Sequence, residues 1–110
     1  SDVYKRQIYV TAYPYSSGGS RYYVSNISVS EYNNYSHRWS QSWYQDLGET
    51  YWTLSCSGAT VGAWYVVHIT YKNASGSTLT GSWDVKLDSS YQSVTHYGPY
   101  SKLQEVPSAP

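Results

Sequence analysis

Apolar and polar residues alternate along most of the stretch between Ala63 and Leu87, with Trp64 and Val66 interrupting the polar face, and this alternation predicts a β-hairpin. The apolar positions are Tyr65, Val67, Ile69 and Tyr71 in the first run, and Leu79, Gly81, Trp83, Val85 and Leu87 in the second. A period of two is typical of antiparallel strands that bury one face. The central hairpin, residues 63–87, is therefore the element around which we expect the rest of the chain to pack.

The register of this hairpin follows from matching the two apolar faces. Pairing Tyr71 with Leu79 also places Val67 opposite Trp83, whereas a slip of one residue would set every apolar side chain opposite a polar one. This register leaves a three-residue loop that ends at Gly76, where such loops need a left-handed residue. Pattern and turn chemistry thus predict the same pairing.

Five further segments predict short strands, and turn residues separate them. They are Ile8–Tyr15, Arg21–Tyr32, Tyr35–Gln45, Thr50–Cys56 and Tyr91–Tyr97. The four-residue spacing of Tyr35, Trp39 and Trp43 also fits a helix, but the β-favouring neighbours favour extended structure. The chain is therefore predicted to be all-β, an antiparallel β-sandwich of about seven strands.

The stretch YVVHITYKNASGSTLTGSWDVKL, residues 65–87, resembles the paired central strands of immunoglobulin-like and fibronectin-III-like modules in bacterial surface proteins and lipoproteins. Leu54-Ser55-Cys56 followed by Trp64 is similar to the first cysteine and core tryptophan of immunoglobulin domains, although the second cysteine of that group is absent. The resemblance implies an immunoglobulin-like sandwich in an extracellular protein.

The two ends of the chain differ from the predicted domain. Residues 1–7, SDVYKRQ, are what the end of a transposase sequencing adapter encodes, so we expect an adapter-derived scar on a metagenomic fragment, outside the fold. Residues 8–103 are expected to form a single domain. Residues 104–110 contain two prolines and are expected to be a tail or linker.

Composition and charge narrow the class of partner. The chain has 7 basic and 7 acidic residues, and its Lys and Arg residues are scattered rather than clustered, so no nucleic-acid partner is expected. No apolar run reaches membrane-spanning length, and no membrane span is expected in this fragment. The 15 Tyr and 5 Trp beside no Phe make the chain tyrosine-rich, which favours an extracellular or cell-surface location on a bacterium.

The catalytic and metal-binding residues of the sequence follow no pattern that predicts an enzyme or a cofactor. His37, His68 and His96 are far apart and fall on the polar faces of their predicted strands, so no metal site is expected. Asp46 and Glu49 are the closest pair of carboxylates, but the glycine between them indicates a solvated turn. The only cysteine, Cys56, is expected to be a buried, unreactive thiol.

The aromatic and serine-rich segment from Tyr35 to Tyr44 carries a candidate binding site. As an extended strand, it places Tyr35, Trp39, Gln41 and Trp43 on one face, with Tyr44 available at the edge. Aromatic rings beside amides and hydroxyls are suited to stacking on sugars, although Trp39 and Trp43 could instead fill the core. Two functions stay open: a non-catalytic spacer or adhesion module, or a carbohydrate-binding module, with a glycan or another surface protein as partner.

Overall fold

The computed structural model describes residues 6–14 and 21–98, and these residues form a seven-stranded β-sandwich. The strands are β1 (Gln7–Pro14), β2 (Tyr22–Glu31), β3 (Asn34–Ser42), β4 (Trp52–Ser57), β5 (Trp64–Asn73), β6 (Thr78–Lys86) and β7 (Tyr91–Gly98). The prediction of an all-β sandwich of about seven strands is confirmed. Within the described ranges there is no helix of the length and hydropathy needed to cross a membrane.

The strands divide into a three-stranded sheet, ordered β4-β1-β7, and a four-stranded sheet, ordered β3-β2-β5-β6. All neighbours run antiparallel except β1 and β7, which are parallel with Val10 opposite Val94. The prediction of a wholly antiparallel sandwich is therefore wrong at this pair. Alternation along a strand indicates which face is buried, but it does not indicate in which direction a neighbouring strand from a distant part of the chain runs.

The central hairpin forms with the predicted register. Tyr71 pairs with Leu79 and Val67 pairs with Trp83. The backbone N–H of Asn73 donates to the carbonyl of Ser77, which closes the loop. Gly76 has a φ of 94°, the left-handed conformation that the loop requires.

One continuous core fills the space between the two sheets. Its most completely buried apolar members include Ile8, Val10, Ala12, Val24, Ile27, Val29, Cys56, Tyr65, Val67, Ile69 and Leu87. Along β1, β2 and β5 most of these residues alternate with less buried ones, so period-two patterning accounts for most of the core. Leu79 lies on β6, an edge strand, and it remains 42% exposed.

β7 departs from the predicted pattern at His96. The strand pattern predicts His96 on a polar face. In the structure His96 is completely buried, on the same face as Val94. The prediction was wrong because Val94 is the only strongly apolar residue on the inner face of this strand. The aromatic residues Tyr91 and Tyr97, which suggest burial, instead lie on the outer face and are half exposed.

The boundaries of the described fold differ slightly from those expected. β1 begins at Gln7, one residue before the predicted start of the domain, and Gln7 pairs with Ser57 and with Tyr91. The carbonyl of Arg6 also accepts a hydrogen bond from the N–H of Gly58. Backbone pairing does not depend on side-chain identity, so residues of the expected scar can extend the strand. The expected tail, residues 104–110, lies outside the described residues.

Candidate functional site

A cleft of about 350 Å³ lies where β1, the end of β3 and β4 meet the segment joining β3 to β4. Four aromatic and four polar side chains line it: Tyr9, Gln41, Trp43, Asp46, Glu49, Tyr51, Trp52 and Thr53. Its volume is at the lower end of the range for small-molecule sites. The cleft is therefore large enough for a small ligand or for one part of a longer one.

The segment between β3 and β4 forms one wall of the cleft, and backbone hydrogen bonds and one left-handed residue fix its course. The N–H of Trp43 donates to the carbonyl of Ser25 at 2.9 Å, at the place where the register of β2 against β5 shifts. Gln45 adopts a left-handed φ of 48° and turns the chain. The N–H of Glu49 then donates to the carbonyl of Asp46 at 3.5 Å, so the two acidic residues belong to one turn.

The lining combines flat aromatic surface with hydrogen-bonding groups of both kinds. The Asp46 and Glu49 carboxylates accept hydrogen bonds, while the Gln41 amide both donates and accepts. Tyr9, Tyr51 and Thr53 add hydroxyl groups. Among the described residues no Lys or Arg lines the cleft, so the formal charge of this lining is negative and it is not suited to an anionic ligand.

Trp52 contributes a donor whose hydrogen bond is not satisfied by the described residues. Its side chain lines the cleft and is only 3% exposed, and its indole Nε1 is buried without a hydrogen-bond partner. A buried N–H group without a partner costs free energy, and most native structures avoid it. The Trp52 side chain therefore carries an unsatisfied donor and lines the same cleft as the Asp46 and Glu49 carboxylates.

The structure brings together only part of the binding face expected from the sequence. Gln41 and Trp43 both line the cleft, and Trp43 is half-buried against the core. Tyr35 and Tyr44 do not line it, and they are 70% and 85% exposed. Arg38 lies over the Tyr35 ring, 4.8 Å from its centroid, which gives this tyrosine a separate contact.

Trp39 also lies outside the cleft lining, in a small aromatic cluster near the middle of β3. Its ring is 6.0 Å from that of Tyr65 and 4.7 Å from that of His37. His37 in turn contacts the carboxylate of Glu31 at 2.7 Å. Trp39 is half-buried and packs against the core, so its position is intermediate between a full core residue and an exposed platform.

The histidines and acidic residues do not form a metal centre in the described part of the chain. No group of three or more His, Cys, Asp or Glu side chains is arranged there to hold a metal ion. His68, which lies on the outer face of β5, contacts the Ser82 hydroxyl through Nδ1 at 2.6 Å. Asp46 and Glu49 lie in one turn, as the sequence predicts, and their side chains also line the cleft.

Sequence reasoning missed Tyr9, Tyr51 and Thr53 as cleft residues. Tyr9 and Thr53 lie on the outer faces of β1 and β4, and Tyr51 directly precedes β4, at positions where polar aromatic and hydroxyl residues are ordinary. Their convergence depends on the pairing of β1 with β4, in which Thr11 lies opposite Thr53 and Tyr9 opposite Ser55. The strand pattern contained no signal for that pairing, whereas the Asp46-to-Glu49 spacing was visible in the sequence.

The chain matches no protein-family model, no curated protein and no solved structure.

Proposed function

We propose that this chain is a non-catalytic adhesion module of a secreted or surface protein of a bacterium, and that it holds a carbohydrate in the cleft beside Trp43. The observation that carries the proposal is the lining of that cleft. Aromatic rings offer apolar faces to the C–H surfaces of a sugar, while Gln41, Asp46 and Glu49 offer partners for its hydroxyl groups. A sugar hydroxyl both donates and accepts, so it can use every polar group in the cleft.

The charge of the cleft defines the class of carbohydrate. Asp46 and Glu49 repel carboxylated and sulfated sugars, and none of the lining residues that the structure describes carries a compensating positive charge. Neutral sugars and amino sugars avoid this repulsion. The proposed ligand is therefore an uncharged or amine-bearing glycan.

An array of neutral, amine-bearing and anionic glycans tests this function. Binding to non-anionic glycans, weakened in both Gln41→Ala and Trp43→Ala, supports the proposal. Gln41 is exposed, so its replacement tests the cleft even if replacement of the half-buried Trp43 disturbs packing. Tyr44→Ser is the matched control, because Tyr44 is adjacent to Trp43 in the chain but lies outside the cleft lining. Absence of glycan binding, or equal losses in all three variants, would overturn the proposal.

The non-catalytic part of the proposal needs a separate measurement. Every glycan that binds is incubated with the protein, and the products are separated by chromatography. The glycan is expected to remain intact, because the cleft is proposed to bind sugar without breaking a glycosidic bond. If the natural chain releases shorter fragments and the Glu49→Gln variant does not, the protein is instead a hydrolase.

A second candidate function, that of a load-bearing spacer, is supported by the directions of the first and last strands. β1 and β7 are parallel neighbours in register, so the described chain enters at Gln7 and leaves at Gly98, at the opposite end of the same ladder. Pulling on the two ends loads the hydrogen bonds between these strands in shear, so that many bonds resist together. Such a module transmits tension along its long direction.

Single-molecule pulling tests the spacer function with an internal control. Handles attached before β1 and after β7 load that ladder in shear. Handles attached before β1 and at Gly58 load the antiparallel β1–β4 ladder from one end, because Gln7 pairs with Ser57 there. The first geometry is expected to unfold at a clearly higher force. Equal forces in both geometries would exclude a role for the β1–β7 pair in bearing load.

We further propose that the sandwich is immunoglobulin-like. In support, the order β3-β2-β5-β6 corresponds to the sheet that contains strands C, F and G of that fold, with C′ at its edge. The Tyr65 hydroxyl, near the start of β5, accepts a hydrogen bond of 2.7 Å from the N–H of Thr60. A tyrosine bonded to backbone just upstream of strand F is the tyrosine corner of immunoglobulin-like sandwiches. The parallel β7 is the departure from their usual topology.

A further inference from the structure

The outer face of the three-stranded sheet presents no charged side chain in the described residues. Its rows are Gln7 with Ser57 and Tyr91, Tyr9 with Ser55 and Ser93, Thr11 with Thr53 and Thr95, and Tyr13 with Tyr97. These residues point outward because the alternate ones, such as Ile8 and Val10, are buried. We call this surface the hydroxyl face. Its tyrosine rings and hydroxyl groups give it the same mixed chemistry as the cleft.

Three tyrosines connect the hydroxyl face with the cleft through ring-to-ring contacts. The ring of Tyr51, which lines the cleft, is 5.7 Å from that of Tyr13. Tyr13 then stacks on Tyr97, with ring centroids 5.1 Å apart and planes inclined by 16°. We call these three residues the tyrosine row. It runs from Tyr51, which directly precedes β4, across β1 to β7, the edge strand of the described sheet.

We propose that a bound glycan extends from the cleft across the tyrosine row, so that the ligand is an uncharged oligosaccharide of several linked rings rather than a single sugar. This inference rests on the proposed carbohydrate-binding function and names the ligand class of that same site. Continuity of the row with the cleft supports one ligand spanning both surfaces. The absence of charge on the hydroxyl face matches a chain that is itself uncharged.

The dimensions and exposure of the row suit this ligand. Neighbouring strands lie about 4.8 Å apart, so the row extends roughly 10 Å beyond β4. Tyr51 and Tyr97 are 45% and 47% exposed, which leaves ring surface available for stacking. Because the rings already support one another, little side-chain freedom is lost when a sugar chain binds them.

The test is a calorimetric length series, from monosaccharide to hexasaccharide, of gluco-, manno- and xylo-oligosaccharides. Affinity is expected to rise with length in the natural chain. Tyr97→Ser is expected to weaken binding of the longest oligosaccharides by roughly three- to tenfold, with no change for the shortest, because only a long ligand reaches β7. Tyr97→Phe keeps the ring and is expected to retain most of the affinity. Tyr91→Ser is the matched control, since Tyr91 lies on the same face of the same strand at its other end.

The possible outcomes separate this inference from the function on which it rests. If the cleft variants abolish binding but affinity does not depend on the length of the oligosaccharide, the cleft is a sugar site and the proposal of an extended ligand is wrong. Equal effects of Tyr97→Ser and Tyr91→Ser would overturn it as well. If no oligosaccharide binds and sedimentation shows dimers that Tyr97→Ser dissociates, a second copy of the chain covers the row and both proposals fail.

Discussion

The indole ring of Trp83 stacks on the imidazole ring of His96, with centroids 3.8 Å apart and planes inclined by 20°. The two residues lie on β6 and β7, which are edge strands of different sheets. The stack therefore joins the two sheets along one side of the sandwich. His96 is completely buried, and neither of its ring nitrogens has a hydrogen-bond partner among the described residues.

This position of His96 predicts that the protein loses stability in mild acid. Burial lowers the pKa of His96 from 6.5 to about 4, because a charged imidazolium is poorly solvated there. Between these two values the unfolded chain binds a proton that the folded chain does not. The free energy of unfolding is therefore not reduced by His96 above pH 6.5. As the pH falls towards 4, proton binding by the unfolded chain lowers it by at most about 3 kcal/mol.

Urea unfolding at several pH values, compared with His96→Phe, measures this contribution. The phenyl ring can keep a stack on Trp83 but cannot take up a proton. The natural chain is expected to lose more free energy of unfolding than the variant between pH 6.5 and 4. Parallel pH profiles for the two proteins would show that His96 is already solvated or charged in the folded state.

A second prediction concerns Gly81, over which the ring of Trp83 lies. A Cβ atom built at Gly81 would overlap the Trp83 indole, so Gly81→Ala displaces the ring that stacks on His96. We expect a loss of about 1–3 kcal/mol in the free energy of unfolding and a change in tryptophan fluorescence. Gly48→Ala is the control, because the nearest atom to its Cβ is the Asp46 Oδ1 at 4.0 Å. Equal stabilities of the two variants would contradict the close packing of Trp83.

The stack also shows which parts of the fold the sequence could predict. The Val67–Trp83 register is a local relationship, since two alternating runs and a loop that ends at Gly76 determine it. The placement of His96 against Trp83 depends on β7 joining β1 in parallel, a pairing between distant parts of the chain. No local pattern contains that information.

The same distinction applies to the candidate site. Gln41 and Trp43 could be recognised because aromatic and amide residues are concentrated in one strand. Tyr9 and Tyr51 could not, because they reach the cleft only through the pairing of β1 with β4. Asp46 and Glu49 were visible as a pair, but whether a turn faces solvent or a cleft depends on what packs beside it.

A third prediction concerns the reactivity of Cys56. The structure confirms that this thiol is buried, and burial raises its pKa to about 12. At pH 8 almost no thiolate is present in the folded protein, so labelling by a disulfide reagent is expected to follow unfolding. Ser57→Cys in a Cys56→Ala background is the control, since the next residue along β4 is exposed and is expected to react at once. Rapid labelling of Cys56 in the folded natural chain would contradict its burial.

The last prediction tests the hairpin register by covalent crosslinking. His68 and Ser82 lie directly opposite each other on the outer faces of β5 and β6, and both are exposed. Directly opposed residues of antiparallel strands have Cα atoms about 4.5–5.5 Å apart, within the range that a disulfide can bridge. In a Cys56→Ala background, His68→Cys with Ser82→Cys is therefore expected to oxidise within one molecule and to raise the free energy of unfolding by up to about 3 kcal/mol. His68→Cys with Thr80→Cys places the same two thiols diagonally, where oxidation is expected to be slower. Faster crosslinking of the diagonal pair, measured by mass spectrometry after blocking of free thiols, would show that the strands are shifted from the pairing of Val67 with Trp83.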